Sequence, residues 1–355
     1  MSEIVYRRAL EGDYQSINDF YNRIYQRDRS IEEFRWEFHD SPAGPSVYVI
    51  ALDGNKVVGT NCVIPIDMVH SDGRKILSGK SEDTLVDPTY RGKRIFANIY
   101  EKLIQECRKA GVEVIWGFTP VEKAFKKIGF DIPFANSQSL AVIYVGGAFD
   151  YLVKLNPKNK VKDKLKIFGL VVMSRLKMAL GTGAKESSLD LVRIESPMGI
   201  ADWIKSELDM LNGSMAIDQT GEYQNWRYSS NPHLHDPHYL RITQDQQCIG
   251  QAILNITKDK VAYISEVKFS KEVGDSIRIK VLRGLVTYAK SKGAVLLRNW
   301  NFSNNAVSLS KLNNEEKAGF VILDRGSHFV WMNLSDRDLD PCGLILTRAA
   351  TQGLS

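Results

Sequence analysis

Apolar residues recur along this 355-residue chain in two rhythms, and the switches between them mark its elements. Ile17, Phe20, Tyr21 and Ile24 lie three and four apart, which predicts a helix over 14–25. Ser30 with Glu33 three residues on is a capping-box pair. It opens a second helix that holds Phe34, Trp36 and Phe38 and ends by Pro42. Residues 5–9, 46–53, 56–65, 67–71 and 75–86 read as strands, with hairpin turns at Asp53-Gly54-Asn55 and Asp72-Gly73. Helical spacing returns with Ile95, Ile99, Leu103 and Cys107. A buried, parallel-type strand at 112–118 follows, then a short helix over 122–127 closed by Gly129, and a strand at 130–133.

Composition narrows the class. A chain of this length suits two domains of ordinary size. A net charge of +5 is too modest for a dedicated nucleic-acid binder. The N-terminal residues lack the apolar core of a signal peptide, and no run reaches the ~18 apolar residues of a membrane span. Cys62, Cys107, Cys248 and Cys342 are scattered without metal or redox spacing, so reduced thiols in a cytoplasmic protein are expected. His233, His235 and His238 lack the Cys or acidic partners of a metal site, and no metal is expected.

One stretch carries candidate chemistry. Thr84, Leu85 and Val86 favour a strand, Pro88 stops it, and Arg91, Gly92, Lys93 and Arg94 precede the helix of Ile95 and Phe96. The first amides of a helix have no internal acceptor and stand at the positive end of its dipole. With basic side chains and a glycine beside them they form an anion site.

This stretch resembles motif A of the GNAT acetyltransferase superfamily, in which a strand ending in Val-x-Pro runs into Arg/Gln-x-x-Gly-x-Gly/Ala and a helix. Val86, Pro88 and Arg91-Gly92-Lys93 match; Arg94 and Phe96 stand where small residues are usual. Ala124-Phe125-Lys126-Lys127-Ile128-Gly129-Phe130 is similar to the family's Phe-Tyr-x-Lys-x-Gly-Phe ending. Together the two motifs extend the resemblance over roughly residues 1–145. It implies an acetyl-CoA-dependent N-acetyltransferase. Leu85, Val86, Arg91, Gly92, Lys93, Arg94, Ile95, Phe96 and Phe125 would then contact the cofactor. Phe125 takes the place of the Tyr that often protonates the leaving thiolate, and a Phe has no proton to give; Tyr90 and Tyr100 are the tyrosines near the motif.

Glu82 and Asp83 precede the pantetheine position, where family members acting on amino sugars carry an acidic pair. Strand alternation puts them on opposite faces unless the strand bulges. Glu82 is the first choice for the base that deprotonates the amine, Asp83 the second.

Residues 150–186 depart from the family. Lys154, Lys158, Lys160, Lys162, Lys164 and Lys166 lead into an apolar run. Such a segment suits an anionic membrane surface or, as preferred here, a linker helix with one face packed and its lysines solvated. Gly181-Thr182-Gly183-Ala184 marks a flexible boundary. Beyond it the pattern repeats. Trp36, Phe38 and Pro42 return as Trp226, Tyr228 and Pro232, Val57-Val58-Gly59 as Cys248-Ile249-Gly250, and Lys109-Ala110-Gly111-Val112 as Ser291-Lys292-Gly293-Ala294. Ile128-Gly129-Phe130 returns as Ala318-Gly319-Phe320. At the second motif position Glu272 and Asp275 would repel a pyrophosphate.

The expected fold is therefore α/β (α+β), with two tandem GNAT-like domains. Each is a mixed, mostly antiparallel sheet flanked by helices. Residues 1–149 would be the catalytic domain, 150–186 a basic helical linker, and 187–355 a degenerate domain on the substrate side. Candidate substrate contacts are His39, Arg227 and Tyr228. The acceptor expected from the resemblance is a small polar amine, most of all an amino sugar, nucleotide-linked, of bacterial surface-polysaccharide synthesis. No nucleic-acid partner and no membrane insertion are expected. An aminoacyl transferase of the peptidoglycan-bridge type and a non-catalytic module for acyl-CoA or an anionic surface are the other compatible classes.

Overall fold

A computed structural model describes residues 3–155, 160–180, 189–323 and 326–350. The Gly181–Ala184 boundary and Lys158 lie outside the described residues. Contacts divide the chain into two compact units, 1–134 with 328–341, and 135–327 with 342–355.

The first unit runs β1 (Ile4–Arg8), α1 (Tyr14–Tyr25), α2 (Ile31–Phe38), β2 (Val47–Asp53), β3 (Lys56–His70), β4 (Lys75–Val86), α3 (Ile95–Lys109), β5 (Val114–Thr119) and α4 (Glu122–Lys127). Its sheet has the order β1-β2-β3-β4-β5 and is completed by the late strand His328–Asn333. The pairs from β1 to β4 are antiparallel, β4 and β5 are parallel, and the late strand is antiparallel to β5. The capping box forms as expected: Ser30 Oγ accepts the Glu33 amide at 3.1 Å, and Glu33 accepts the Ser30 amide at 2.7 Å. Expected as two strands, 56–65 and 67–71, this stretch forms one, Lys56–His70, running through Pro65 opposite Gly79. The expected strand at 130–133 is a single bridge, Asp131 to Trp331. Helix α3 packs its buried Ile95, Ile99, Tyr100 and Leu103 against Val47, Val49 and Val58 of the sheet.

The second unit begins with β6 (Ser137–Val142), α5 (Val145–Lys154) and α6 (Val161–Leu180). In its sheet β6 lies between Val321–Leu323 and Leu296–Asn301; Val261–Phe269, Gln247–Ile256, Pro237–Gln244 and Leu189–Ile194 follow in order. Its parallel pair, Val261–Phe269 with Leu296–Asn301, corresponds to β4 with β5. The glycines of the internal repeat adopt matching left-handed conformations: φ is +76° at Gly111 and +79° at Gly293, +90° at Gly129 and +104° at Gly319. They end equivalent helices, where a side chain would be strained.

The units do not follow the linear division expected above, and two segments account for the difference. Strand β6 closes the second sheet, whereas the strand that closes the first comes from 328–333. Helices α5 and α6 form a layer of the second unit, and α6 packs one face as expected for this segment: Ser174 Oγ accepts the Val142 amide at 3.1 Å, and Val171 is fully buried beside Leu140 and Val142.

Candidate active site

The site of the first unit is built on an irregularity in β4. Register shifts between Thr60/Cys62 of β3 and Leu85/Glu82 of β4, so β4 holds one extra residue. Asp83 takes it up with a φ of +52°. Left-handed backbone disfavours most side chains, but Asp is among those that tolerate it.

The bulge breaks the two-residue alternation. Ser81 and Thr84 turn to α3, their hydroxyls 2.9 and 3.1 Å from the Tyr100 hydroxyl. Glu82 and Asp83 both turn to the other side, where each acts electrostatically on Glu37 of α2 and Tyr25 of α1. The two carboxylates expected on opposite faces thus share one, and Glu37, which sequence reasoning missed, makes a third.

Their surroundings differ. Asp83 has a 4 % exposed side chain. It accepts from the Tyr48 hydroxyl, and Arg29 Nη2 lies 3.4 Å away. Burial pushes its carboxyl above the ordinary range, against the pull of Arg29 and Tyr48. Glu82, 29 % exposed, is bonded to the buried Lys80. Glu37 lies between, 14 % exposed and 3.7 Å from Arg29 Nη1. Burial, with Glu82 and Asp83 adding repulsion, pushes it up to about 8 despite Arg29.

Arg29 is held on both sides. Its Nε donates to Asn18 Oδ1 at 2.7 Å, its amide donates to Asn22 Oδ1 at 2.9 Å, and its carbonyl accepts from both asparagines. Its guanidinium lies over the Tyr21 ring at 3.7 Å. No local pattern announces this clamp; Asn18 and Asn22 at i and i+4 of α1 are its one sequence trace.

The turn in which an anion site is expected lies between β4 and α3. Asp87 accepts from the Thr89 amide and hydroxyl and binds Arg23 and Lys56, which together hold its carboxyl down at about 2 despite burial. That fixes the turn after β4. Arg91, Gly92, Lys93 and Arg94 are exposed, with φ +83° at Gly92 and +58° at Arg94. No atom lies within 4 Å of where a Gly92 Cβ would stand. The Arg94 carbonyl accepts the first α3 bond from Asn98 at 3.1 Å, so the amides of Ile95, Phe96 and Ala97 have no acceptor inside the helix. Strands β4 and β5 pair only from Ser78/Val114 to Lys80/Trp116. Beyond that register they part.

The remaining expected residues are placed as follows. Leu85 packs with Phe20 and Val57, and Ile95 and Phe125 belong to the core under α3, while Val86 and Phe96 are partly buried at its edge. Tyr100 is fully buried and pushed up to about 12, mainly by burial; the Tyr90 hydroxyl donates to Asp53 at 2.6 Å. His39 is partly exposed at the end of α2, 3.1 Å from Asp40. Arg227 and Tyr228 are corrections. They are 2 % and 1 % exposed; Arg227 Nε donates to the Ala349 carbonyl and the Tyr228 hydroxyl to Glu266. The aromatic repeat places them inside the core of the second unit, away from solvent.

That unit has its own cleft where its two parallel strands part, lined in part by Glu266, Trp300, Phe302, Lys311 and Glu315. Its carboxylates have donors at Glu315, from Asn299, Asn301 and Ser139, and at Oε2 of Glu266, from Gln219, Tyr228 and Thr347, while Glu266 Oε1 is buried without a hydrogen-bond donor among the described residues. At the corresponding helix start Glu272 is exposed and Asp275 accepts from Asn314.

Residues 5–132 match the model of the acetyltransferase (GNAT) domain. No curated protein matches the chain. Among solved structures, a probable N-acyltransferase from Enterococcus faecalis V583 is 10 % identical, with 94 % of this chain and 73 % of that one covered and a TM-score of 0.63. A GCN5-related N-acetyltransferase from Anabaena variabilis ATCC 29413 has the same identity and coverage at a TM-score of 0.61. A tandem GNAT protein from the clavulanic acid biosynthesis pathway is 13 % identical over 95 % of this chain and 100 % of that one, with a TM-score of 0.54. At such identities these three share the fold. The first unit thus contains a GNAT acetyltransferase domain, and the whole chain has the fold of two GNAT-like domains.

Proposed function

Since residues 5–132 are a GNAT acetyltransferase domain, we propose that the protein uses acetyl-CoA to acetylate the amino group of a small polar amine, with Glu82 as the base. The observation that carries this reading is the bulge at Asp83, which gathers Glu82, Asp83 and Glu37 on one side of β4. An acidic cluster of this kind favours a cationic acceptor.

The residues present fit acetyl-CoA. The unbonded amides at the start of α3, with Arg91, Lys93 and Arg94, suit its phosphates. The parting of β4 from β5 leaves room for an extended arm. When bound, acetyl-CoA supplies an activated acyl carbon. Glu82 takes a proton from the ammonium, directly or through a water, and the freed nitrogen attacks the thioester carbon. The C–N bond forms, the C–S bond breaks with the sulfur leaving as a thiolate, and the second proton of the new C–N nitrogen passes to solvent, giving the neutral amide. A thiol has a pKa near ~8.5, so solvent can protonate the product without a strong acid. That agrees with Phe125 at the usual tyrosine position and with a buried, bonded Tyr100. Lys80 holds one Glu82 oxygen, and Asp83 positions Arg29. Glu37 neighbours the base, and burial, which raises its pKa to about 8, keeps it protonated at neutral pH.

For the acceptor we favour an amino sugar, nucleotide-linked, as in bacterial surface-polysaccharide synthesis. The support is the Glu82-Asp83 pair on the strand before the cofactor turn, as in amino-sugar acetyltransferases, together with the acidic cluster. Thiol release from acetyl-CoA, measured against amines that include UDP- and dTDP-amino sugars, tests both parts. Release with one nucleotide amino sugar, reduced in Glu82→Gln, supports the reading. Release with simple amines alone removes the sugar. No release with any amine, despite CoA binding, removes the catalytic reading and favours a binding module.

A further inference from the structure

Helix α6 has two apolar faces, and the fold buries only one; on the other, Phe168 lies edge-on to the Phe149 ring of α5 at 6.1 Å. Val171, Ser174 and Met178 are buried against the sheet of the second unit. On the opposite side Val161, Leu165, Phe168 and Leu176 are 75, 66, 51 and 59 % exposed. With the partly buried Val172 their steps of four, three, four and four make a stripe along one line of the helix. At 1.5 Å per residue the stripe is about 22 Å long.

A surface helix that only links or buttresses has no cause to keep bulky apolar side chains on its solvent face. The residues beside the stripe show what it suits. At 100° per residue, Lys162 and Lys166 lie on one side of it and Lys164 and Arg175 on the other, all exposed. Between residues 160 and 180 there are six basic side chains and one acidic. The acidic one, Asp163, accepts the Lys160 amide at the helix start at 3.2 Å, on the packed side. An apolar line between two rows of cations matches a bilayer interface: aliphatic and aromatic groups enter the acyl boundary while lysines reach the headgroups. Among the described residues no helix is long and apolar enough to cross a membrane, so the stripe lies on the surface.

We propose that α6 is a docking face for an anionic lipid surface. Two weak signals, apolar insertion and charge, act together, and each alone is insufficient. The occupant is a lipid headgroup layer rather than a second copy or an acidic protein, because the basic rows run along both sides of a continuous apolar line.

The test is flotation of the full chain with vesicles of phosphatidylcholine alone, and of phosphatidylcholine mixed with phosphatidylglycerol. Binding is expected to the mixed vesicles only and to fall with salt. The pairs Leu165→Gln with Phe168→Ser, and Lys164→Glu with Arg175→Glu, should each weaken it by about tenfold or more. All four side chains are exposed, so unchanged circular dichroism and thermal midpoint confirm that the variants fold. Absent binding to the mixed vesicles, or equal binding by the variants, overturns the proposal. So does self-association without vesicles that the same substitutions abolish, since the stripe would then be an interface between copies.

Discussion

If the strand His328–Asn333 belongs to the first sheet, the first domain cannot be obtained by cutting the chain after residue 149. In the whole protein Phe329, Val330 and Trp331 of this strand are buried to within 1 %. Phe329 stacks on Phe134 at 4.5 Å, and Trp331 lies opposite Trp116 in β5. Burying side chains of these types contributes about 1.5–3 kcal/mol each, so the three together supply roughly 5–9 kcal/mol. A typical domain has a net stability of about 5–15 kcal/mol, so loss of this strand consumes most or all of it. Its loss also bares β5 as an apolar edge, which invites aggregation.

The assay is urea unfolding of residues 1–149 and of the full chain, followed by tryptophan fluorescence and far-UV circular dichroism. The shorter chain should be aggregated or show no cooperative transition. A peptide spanning 326–341, added in trans, should restore part of the transition. In the full chain Trp331→Ala should cost about 3–5 kcal/mol. A soluble 1–149 that unfolds cooperatively at the full chain's midpoint would refute the assignment of this strand to the first core.

Three further outcomes follow from the site. Glu82→Gln should lower kcat about 10²-fold or more while leaving the KM for acetyl-CoA within a factor of two or so; an unchanged kcat removes Glu82 as the base. Arg91→Ala with Lys93→Ala should raise the KM for acetyl-CoA by about tenfold or more, and added salt should shrink the gap between variant and parent; equal KM values would remove these side chains from the cofactor site. The Glu37 carboxyl, about 8 in the fold against 4.5 unfolded, keeps a proton in the native state that the unfolded chain releases. Its contribution to stability is therefore full below pH 4.5 and is lost as pH rises to about 8. Glu37→Gln should flatten that decline in urea midpoint, and identical pH profiles for the two proteins would contradict it.

Much of the frame was legible because its signals are local. Ser30 and Glu33 announce a cap that forms between neighbours, and the repeated glycines mark helix ends that require left-handed backbone. The basic turn before Ile95 was legible for the same reason: an anion site at a helix start needs only a strand end, a turn and exposed cations. Strand partnership is different. His328–Asn333 and β6 each carry an apolar pattern that fits a sheet, but nothing in either pattern says which sheet. Arg227 and Tyr228 are ambiguous in sequence because an aromatic with an arginine suits a phosphate site and a satisfied core equally well. The partner that decides, the carbonyl of Ala349, is 122 residues away.

The bulge is the case where sequence came closest and still stopped short. Alternation allowed one of Glu82 and Asp83 to face the substrate side, and an Asp that tolerates left-handed backbone was the one hint that both do. The hint has a consequence for charge that can be measured. Arg29 lies between Asp83 at 3.4 Å and Glu37 at 3.7 Å, so the two carboxylates share one cation while repelling each other. In Asp83→Asn the left-handed position is still tolerated and the Tyr48 contact keeps an oxygen, but one negative charge is gone. Glu37 then loses a repulsive neighbour and has Arg29 more to itself. Both changes favour its ionised form, so its pKa should fall from about 8. The decline of stability with pH should end at a lower pH in this variant than in the parent. Urea midpoints across neutral pH measure the shift. A decline that ends at the same pH in both proteins would show that Asp83 and Glu37 do not share Arg29, and that burial alone holds the Glu37 proton.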